Sequence, residues 1–311
     1  IYEGILRIMS KEELMVSLVV PTNGVIEWVF PVLDSIYQDE PEHSRFEVIV
    51  TDNGDNEEFQ RQMESYCARY DNLIYRKTQA KQFLNQVEAF KLASGRLIKF
   101  VNHRMKLLPG TVEELIRFAA SHEETKPGIY FMNGAIAGKN GEEKFDSFDA
   151  YVAGMRRFSS WSAGTTMWKE DFDRLDPDMT YNATFPHTDY VFSEKNKAEY
   201  IIDHRVLFEE IPVDDTKKGK YDLFHAFGVE YPGLMLDLCR RGEISKETFL
   251  TVKEDMLRLL AELYFGYVLR KMPCSYDLSG YKSSIPVFFS NGAVWRMMVR
   301  IGFGKIFGRR G

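Results

Sequence analysis

The sequence predicts an α/β fold: a mainly parallel sheet flanked by helices, followed by a helical C-terminal region. Two observations carry the prediction. Short apolar, β-branched runs at residues 15–21, 46–50, 97–101 and 128–132 each end in a turn-forming or polar segment, and the stretches between them have one apolar face at helical spacing. Strands that alternate with helices pair in parallel and are covered on both faces, so runs such as MVSLVV are almost continuously apolar. Any ligand crevice should then lie at the carboxyl ends of the strands.

Each element follows from local sequence. The first strand ends at Pro21, before the turn Thr22-Asn23-Gly24. Residues 25–37 place Ile26, Val29, Phe30, Leu33 and Ile36 on one helical face, with Pro31 read as a first-turn residue. The second strand stops at Thr51-Asp52-Asn53-Gly54-Asp55, which puts a carboxylate at a strand end. A helix over 57–70, a short strand at 73–75 and a helix over 83–93 follow, the last burying Leu84, Val87, Phe90 and Leu92 and ending before Gly95. The stretch 96–110, RLIKFVNHRMKLLPG, reads as a buried strand, a loop and a helix start. A helix over 110–122 and a strand over 128–132 close the regular pattern. After Ala135 it loosens, and 138–157, 159–167 (SSWSAGTTM) and 182–192 read as irregular structure shaping a second pocket. Residues 223–238 and 245–269, separated by Gly242, form a helical layer.

Composition bounds the function. Cys67, Cys239 and Cys274 lie far apart without ligand spacing, so neither a disulfide framework nor a zinc site is suggested, and a reducing, cytoplasmic compartment fits. No apolar run approaches the ~20 residues that span a bilayer. Residues 1–14 precede the regular pattern and include a Met9-Ser10-Lys11 that resembles a natural start; they are read as leader residues without function. Of 40 basic and 46 acidic residues, six basic and no acidic ones fall within 281–311. An acidic body with a basic tail argues against nucleic-acid binding and for attraction of the tail to an anionic surface.

The motifs SLVVPT at 17–22, FEVIVTDNG at 46–54, the helix from Asn85 to Gly95, and Leu107-Leu108-Pro109-Gly110 resemble, in order and spacing, the landmarks of family 2 glycosyltransferases with the GT-A fold. The resemblance covers roughly residues 15–200. It implies a Rossmann-type, GT-A-like sheet and transfer of a sugar from a nucleotide-sugar donor, most commonly a UDP-sugar, to an acceptor hydroxyl with inversion. It also divides the chain: 15–135 as the nucleotide-sugar-binding half, 136–215 as the acceptor-binding part of the same domain, and 216–311 as the helical region with its basic tail.

By the resemblance, Pro21, Thr22, Asp52 and Asn85 match donor-binding positions. Counting back from Pro109, the family's Asp-x-Asp falls on Asn102-His103-Arg104, and the acid after it on Met105. Asn102 offers a single neutral oxygen, so this loop is a poor site for Mg²⁺ or Mn²⁺, which favour carboxylates. No cofactor is called for, although a weak Mg²⁺ or Mn²⁺ dependence stays open. Arg104 is the candidate clamp for the leaving diphosphate, with His103 or Lys106 as a further donor. The alternative is that Arg104 pairs with Asp52 or Asp189 in a degenerate site.

The resemblance places the general base on Asp189 in FPHTDYVF, with Glu170 and Asp171 competing and His187 assisting. Trp161, Trp168, Tyr181 and Tyr190 are candidate sugar-stacking rings on the acceptor side. The tail 294–311 mixes Trp295, Met298, Ile301 and Phe303 with arginines and lysine, which suits peripheral contact with the inner face of the cytoplasmic membrane and a glycan or polyprenyl-linked acceptor. A binding protein on the same fold, or a nucleotidyltransferase, are the other readings. The latter lacks a lysine-containing phosphate loop in PTNGVIEW.

Overall fold

The computed structural model describes residues 13–212 and 215–307. It divides into two units, 1–147 with 161–211, and 148–160 with 212–311. Segment 148–160, grouped by sequence with the acceptor part, therefore clusters with the C-terminal helices. The leader residues 1–12 and the tail beyond 307 lie outside the described residues.

In the first unit the chain runs β1 (Val16–Thr22), α1 (Ile26–Tyr37), β2 (Phe46–Asp52), α2 (Glu57–Cys67), β3 (Leu73–Lys77), α3 (Asn85–Leu92) and β4 (Leu97–Phe100). It continues through β5 (Met105–Leu107), α4 (Thr111–Ser121), β6 (Gly128–Phe131) and β7 (Glu142–Phe145) to α5 (Phe148–Met155) of the second unit. It then returns as β8 (Thr166–Trp168), α6 (Lys169–Asp173), α7 (Pro186–Ser193), β9 (Tyr200–Asp203) and β10 (Phe208–Glu210). The main sheet has the order β3-β2-β1-β4-β8, parallel except for β8. A three-stranded sheet (β6-β9-β7) and the pair β10-β5 complete the unit.

Strand periodicity builds a core on each face of this sheet. Val16, Leu18 and Val20 of β1 join Val48 and Val50 of β2 under α1, α2 and α4, whereas Val19, Ile49 and Ile98 point the other way, toward Phe90 of α3 and Tyr190 of α7. Each such side chain stabilises the fold by about 1.5–3 kcal/mol when fully buried. Helix α1 starts at Ile26, so Pro31 sits in the second turn and removes an interior hydrogen bond, contrary to the first-turn reading. Leu92, expected inside, is 38% exposed at the end of α3. The loop of 96–110 contains a strand that periodicity did not reveal, because β5 is only three residues long and is held by β10 across the sequence.

The second unit adds α8 (Leu223–His225), α9 (Tyr231–Arg240), α10 (Lys246–Leu263), α11 (Tyr281–Phe288) and α12 (Asn291–Phe307), with α10 packed on α5, α9 and α12 and α11 on α8. Ser245 caps α10 by accepting the Thr248 N–H at 3.1 Å, and its own N–H donates to Asp149 on α5 at 2.8 Å. Arg156 pairs with Asp255 at 2.7 Å, and Ser159 meets the buried Tyr231 hydroxyl at 2.5 Å, which ties segment 148–160 to the helical layer.

Candidate functional site

The carboxyl ends of β1, β2 and β4 converge, because Thr22 pairs in register with Asp52 and Val19 with Phe100. Their turns interlock. The Asn53 N–H donates to Thr22 O at 3.1 Å, and Asn56, which caps α2, donates its side-chain N–H to Gly24 O at 2.9 Å. Gly54 lies so close to the other turn that an added Cβ would sit 2.0 Å from Asn23 O.

Asp52 is fully buried and organises this corner. Its oxygens accept the Gly54 N–H at 2.7 Å, the Tyr75 hydroxyl at 2.9 Å and the Lys77 ammonium at 3.2 Å. Asn85 is buried as well, and its side chain is already satisfied. It donates to Thr22 O at 3.0 Å and Thr51 O at 2.8 Å and accepts from Thr78 Oγ1 at 2.7 Å. Asn85 is thus a strut beneath the β1 and β2 turns, and its amide has no free group for a donor. Pro21 is half-buried in the same turn.

The loop after β4 meets the β1 turn through His103, whose Nδ1 lies 2.8 Å from Thr22 Oγ1. Thr22 Oγ1 also accepts the Gly24 N–H at 3.1 Å. Burial and the adjacent Arg104 charge push His103 down to about 3, so the ring is neutral. Asn102 turns the loop by accepting the Arg104 N–H at 3.0 Å. The Arg104 guanidinium lies 5.5 Å from the Trp28 ring centroid, and its buried Nη1 has no hydrogen-bond partner. Of the two acids that sequence offered as its partner, Asp52 pairs with Lys77 and Asp189 accepts the Asn182 N–H. Lys106 forms a part-exposed ion pair with Glu209 of β10 at 2.5 Å.

On the other side of the sheet, Asp189 lies in the first turn of α7, where its carboxylate accepts the Asn182 N–H at 2.6 Å. Burial raises its pKa from the ordinary aspartate value, against the opposing pull of that hydrogen bond. Because residues 186–193 are helical, His187, which is buried, lies on a different side from Asp189. Helix α7 docks on α3 through Tyr190, stacked on Phe90 at 4.5 Å. Glu170 and Asp171 are taken up in ion pairs, Glu170 with Lys126 and Arg174, Asp171 with Lys197 and Arg174.

Two aromatic expectations are overturned. Trp168 is 1% exposed and donates its indole N–H to Pro127 O at 2.9 Å, so both ring faces belong to the core. Tyr190 is likewise enclosed. Trp161 is half-buried, and Tyr181 packs edge-on against Tyr190 at 5.5 Å.

The loop does not fit a hard divalent cation. Its side-chain donors are an amide oxygen engaged by the Arg104 N–H, a neutral imidazole and a guanidinium, and among the described residues no three His, Cys, Asp or Glu side chains converge.

Sequence reasoning missed Trp28, which presents its edge to His103 at 5.2 Å, and the fully buried Lys99 of β4. Lys99 donates to Phe100 O at 2.7 Å and Ala163 O at 2.5 Å and lies 5.0 Å from the Phe208 ring centroid; burial pushes its pKa down to about 7. A lysine inside the apolar run LIKFV was the available signal.

The model that describes glycosyl transferase family 2 matches residues 17–209. Among curated proteins no sequence matches. Solved structures of Staphylococcus aureus TarS share the fold. Residues 1–349 of TarS in complex with UDP-GlcNAc align with a TM-score of 0.56 at 14% identity, over 88% of this chain and 80% of that one. The complex with UDP gives 0.54 at 14%, over 82% and 75%. Against the longer TarS structure the values are 0.52 and 13%, and this chain, 82% covered, spans 45% of its length. At such identity the likeness shows the fold alone.

Proposed function

The chain belongs to glycosyl transferase family 2, and from that premise we propose that it moves a sugar from a UDP-sugar to an acceptor hydroxyl, with inversion and without a divalent metal. The acceptor is a glycan or a polyprenyl-linked glycan. The observation that carries the reading is Arg104, a guanidinium with a buried, unpartnered N–H in the loop after β4; by the resemblance, the family's acidic pair falls on Asn102-His103-Arg104. A diphosphate would give that group the acceptor it lacks. The choice of uridine is supported by the fold shared with a protein crystallised with UDP and UDP-GlcNAc.

In this reading the nucleoside lies against Pro21, Thr22 and the Asp52 corner, and the diphosphate lies over the loop, gripped by Arg104 with His103 as a second donor. Asp189 takes the acceptor proton as the acceptor oxygen bonds to the anomeric carbon and the sugar–phosphate bond breaks. The electron pair leaves with UDP, whose new charge Arg104 offsets. A base with a raised pKa suits this step, since proton transfer is most effective when the pKa approaches the working pH. Trp161, half-buried, is the candidate ring on the acceptor side.

The test is a thermal-shift panel of UDP-, GDP-, CDP- and dTDP-sugars followed by transfer assays with EDTA and with Mn²⁺. UDP-sugar stabilisation and chelator-resistant turnover that is lost in Asp189→Asn, with donor binding intact, are expected. Turnover abolished by EDTA and restored by Mn²⁺ would refute the metal-free clamp. Donor binding without transfer to any acceptor would favour a degenerate, binding-only site.

A further inference from the structure

Helix α12 carries apolar residues on both sides. Val294 is buried and Met297, Met298 and Ile301 are half-buried on one, whereas Trp295 and Val299 on the other are each 52% exposed. One turn apart, these two lie beside Arg296 and Arg300, which are exposed at the same spacing. Trp295 also lines a surface cavity of about 380 Å³ with Tyr264, Tyr281 and the exposed Lys282. Its ring centroid lies 6.4 Å from that of Tyr264, which lies 5.6 Å from that of Tyr281.

Core packing accounts for the inward set and leaves the outward tryptophan and valine unexplained. Residues 281–311 contain no acid, so the outward face is basic as well as apolar; Glu254, 3.5 Å from Arg300, is a largely exposed rim contact and adds little. An occupant complementary to this face must be apolar and anionic together. An anionic bilayer interface meets both demands: an indole settles at headgroup depth, and arginines bury their stems while reaching phosphate. No described helix is long and apolar enough to cross a membrane, so contact would run along the surface.

We infer that the outer face of α12 and the Trp295 cavity dock this protein on an anionic lipid surface. The test is co-sedimentation of the whole chain with vesicles of equimolar phosphatidylglycerol and phosphatidylcholine, compared with phosphatidylcholine alone, at low and high salt. Partitioning into the anionic vesicles alone, weakened by salt and lowered about fivefold by each of Arg296→Gln and Arg300→Gln, is expected. The tryptophan emission should shift to the blue on binding, and Trp295→Ser should remove that shift. Equal binding to both vesicles, no binding to either, or full binding by the double arginine variant would overturn the inference. The substituted residues are exposed, so a matched melting temperature separates lost docking from lost folding, and the salt response of the native chain needs no variant. The assay contains no donor, so it is independent of the proposed reaction.

Discussion

Arg104→Ala separates a clamp from a structural arginine because the two roles move stability and donor binding in opposite ways. In the ligand-free protein the substitution loses the contact with Trp28, about 0.5–1 kcal/mol. It also removes a buried donor without a partner, a burden of about 1–3 kcal/mol. Stability should therefore hold or rise by about 1 kcal/mol. With donor bound, the loss is two charge-assisted hydrogen bonds to diphosphate oxygens, each worth about 1.5–3 kcal/mol, so roughly 3–6 kcal/mol is at stake. That corresponds to a ~10²–10⁴-fold fall in kcat/KM. A third consequence follows at His103, whose pKa should climb from about 3 once the adjacent positive charge is gone. Urea denaturation, UDP calorimetry, transfer kinetics and imidazole titration by NMR read these quantities. Unchanged UDP affinity together with a loss of several kcal/mol in stability would refute the clamp and make Arg104 a part of the fold.

Asn85→Asp places a carboxylate against Thr22 O and Thr51 O, and should cost about 4 kcal/mol in urea denaturation while Asn85→Ala costs less. Gly54→Ala drives a Cβ into Asn23 O and should lower the melting temperature by an amount equivalent to about 3 kcal/mol. His103 has a folded pKa of about 3 against an ordinary 6.5, so its contribution to stability is complete above pH 6.5 and is lost as pH falls; from pH 7 to 5 the loss should be about 1–2 kcal/mol, and His103→Gln should flatten that slope in melts. Asp189 must be ionised to act as base, so the acid limb of kcat/KM should lie above the ordinary aspartate value, and a limb at or below that value would remove the assignment.

Most elements of residues 15–135 were legible because their signals are local. A β-branched run, a turn residue at its end and one apolar helical face fix an element whatever the rest of the chain does, and Val16–Thr22, Phe46–Asp52 and Leu97–Phe100 formed as periodicity required. The position of the candidate site followed from strand ends. What the side chains there would touch did not. Asn85 became a strut because α3 brings it under two carbonyls from strands 63 and 34 residues away in sequence. Lys106 meets Glu209, more than a hundred residues later, and Trp168 is buried in the core with its indole N–H on Pro127 O. Asp52, offered by sequence as a partner of Arg104, instead binds Lys77 and Tyr75, and Arg104 Nη1 has no partner. The sequence by itself determined which groups stand at the strand ends, because chain-local patterning places them there. Only the tertiary structure decided which of those groups are consumed by neighbours and which remain available, because hydrogen-bond and ion-pair partners are assigned by contacts that carry no signal along the chain.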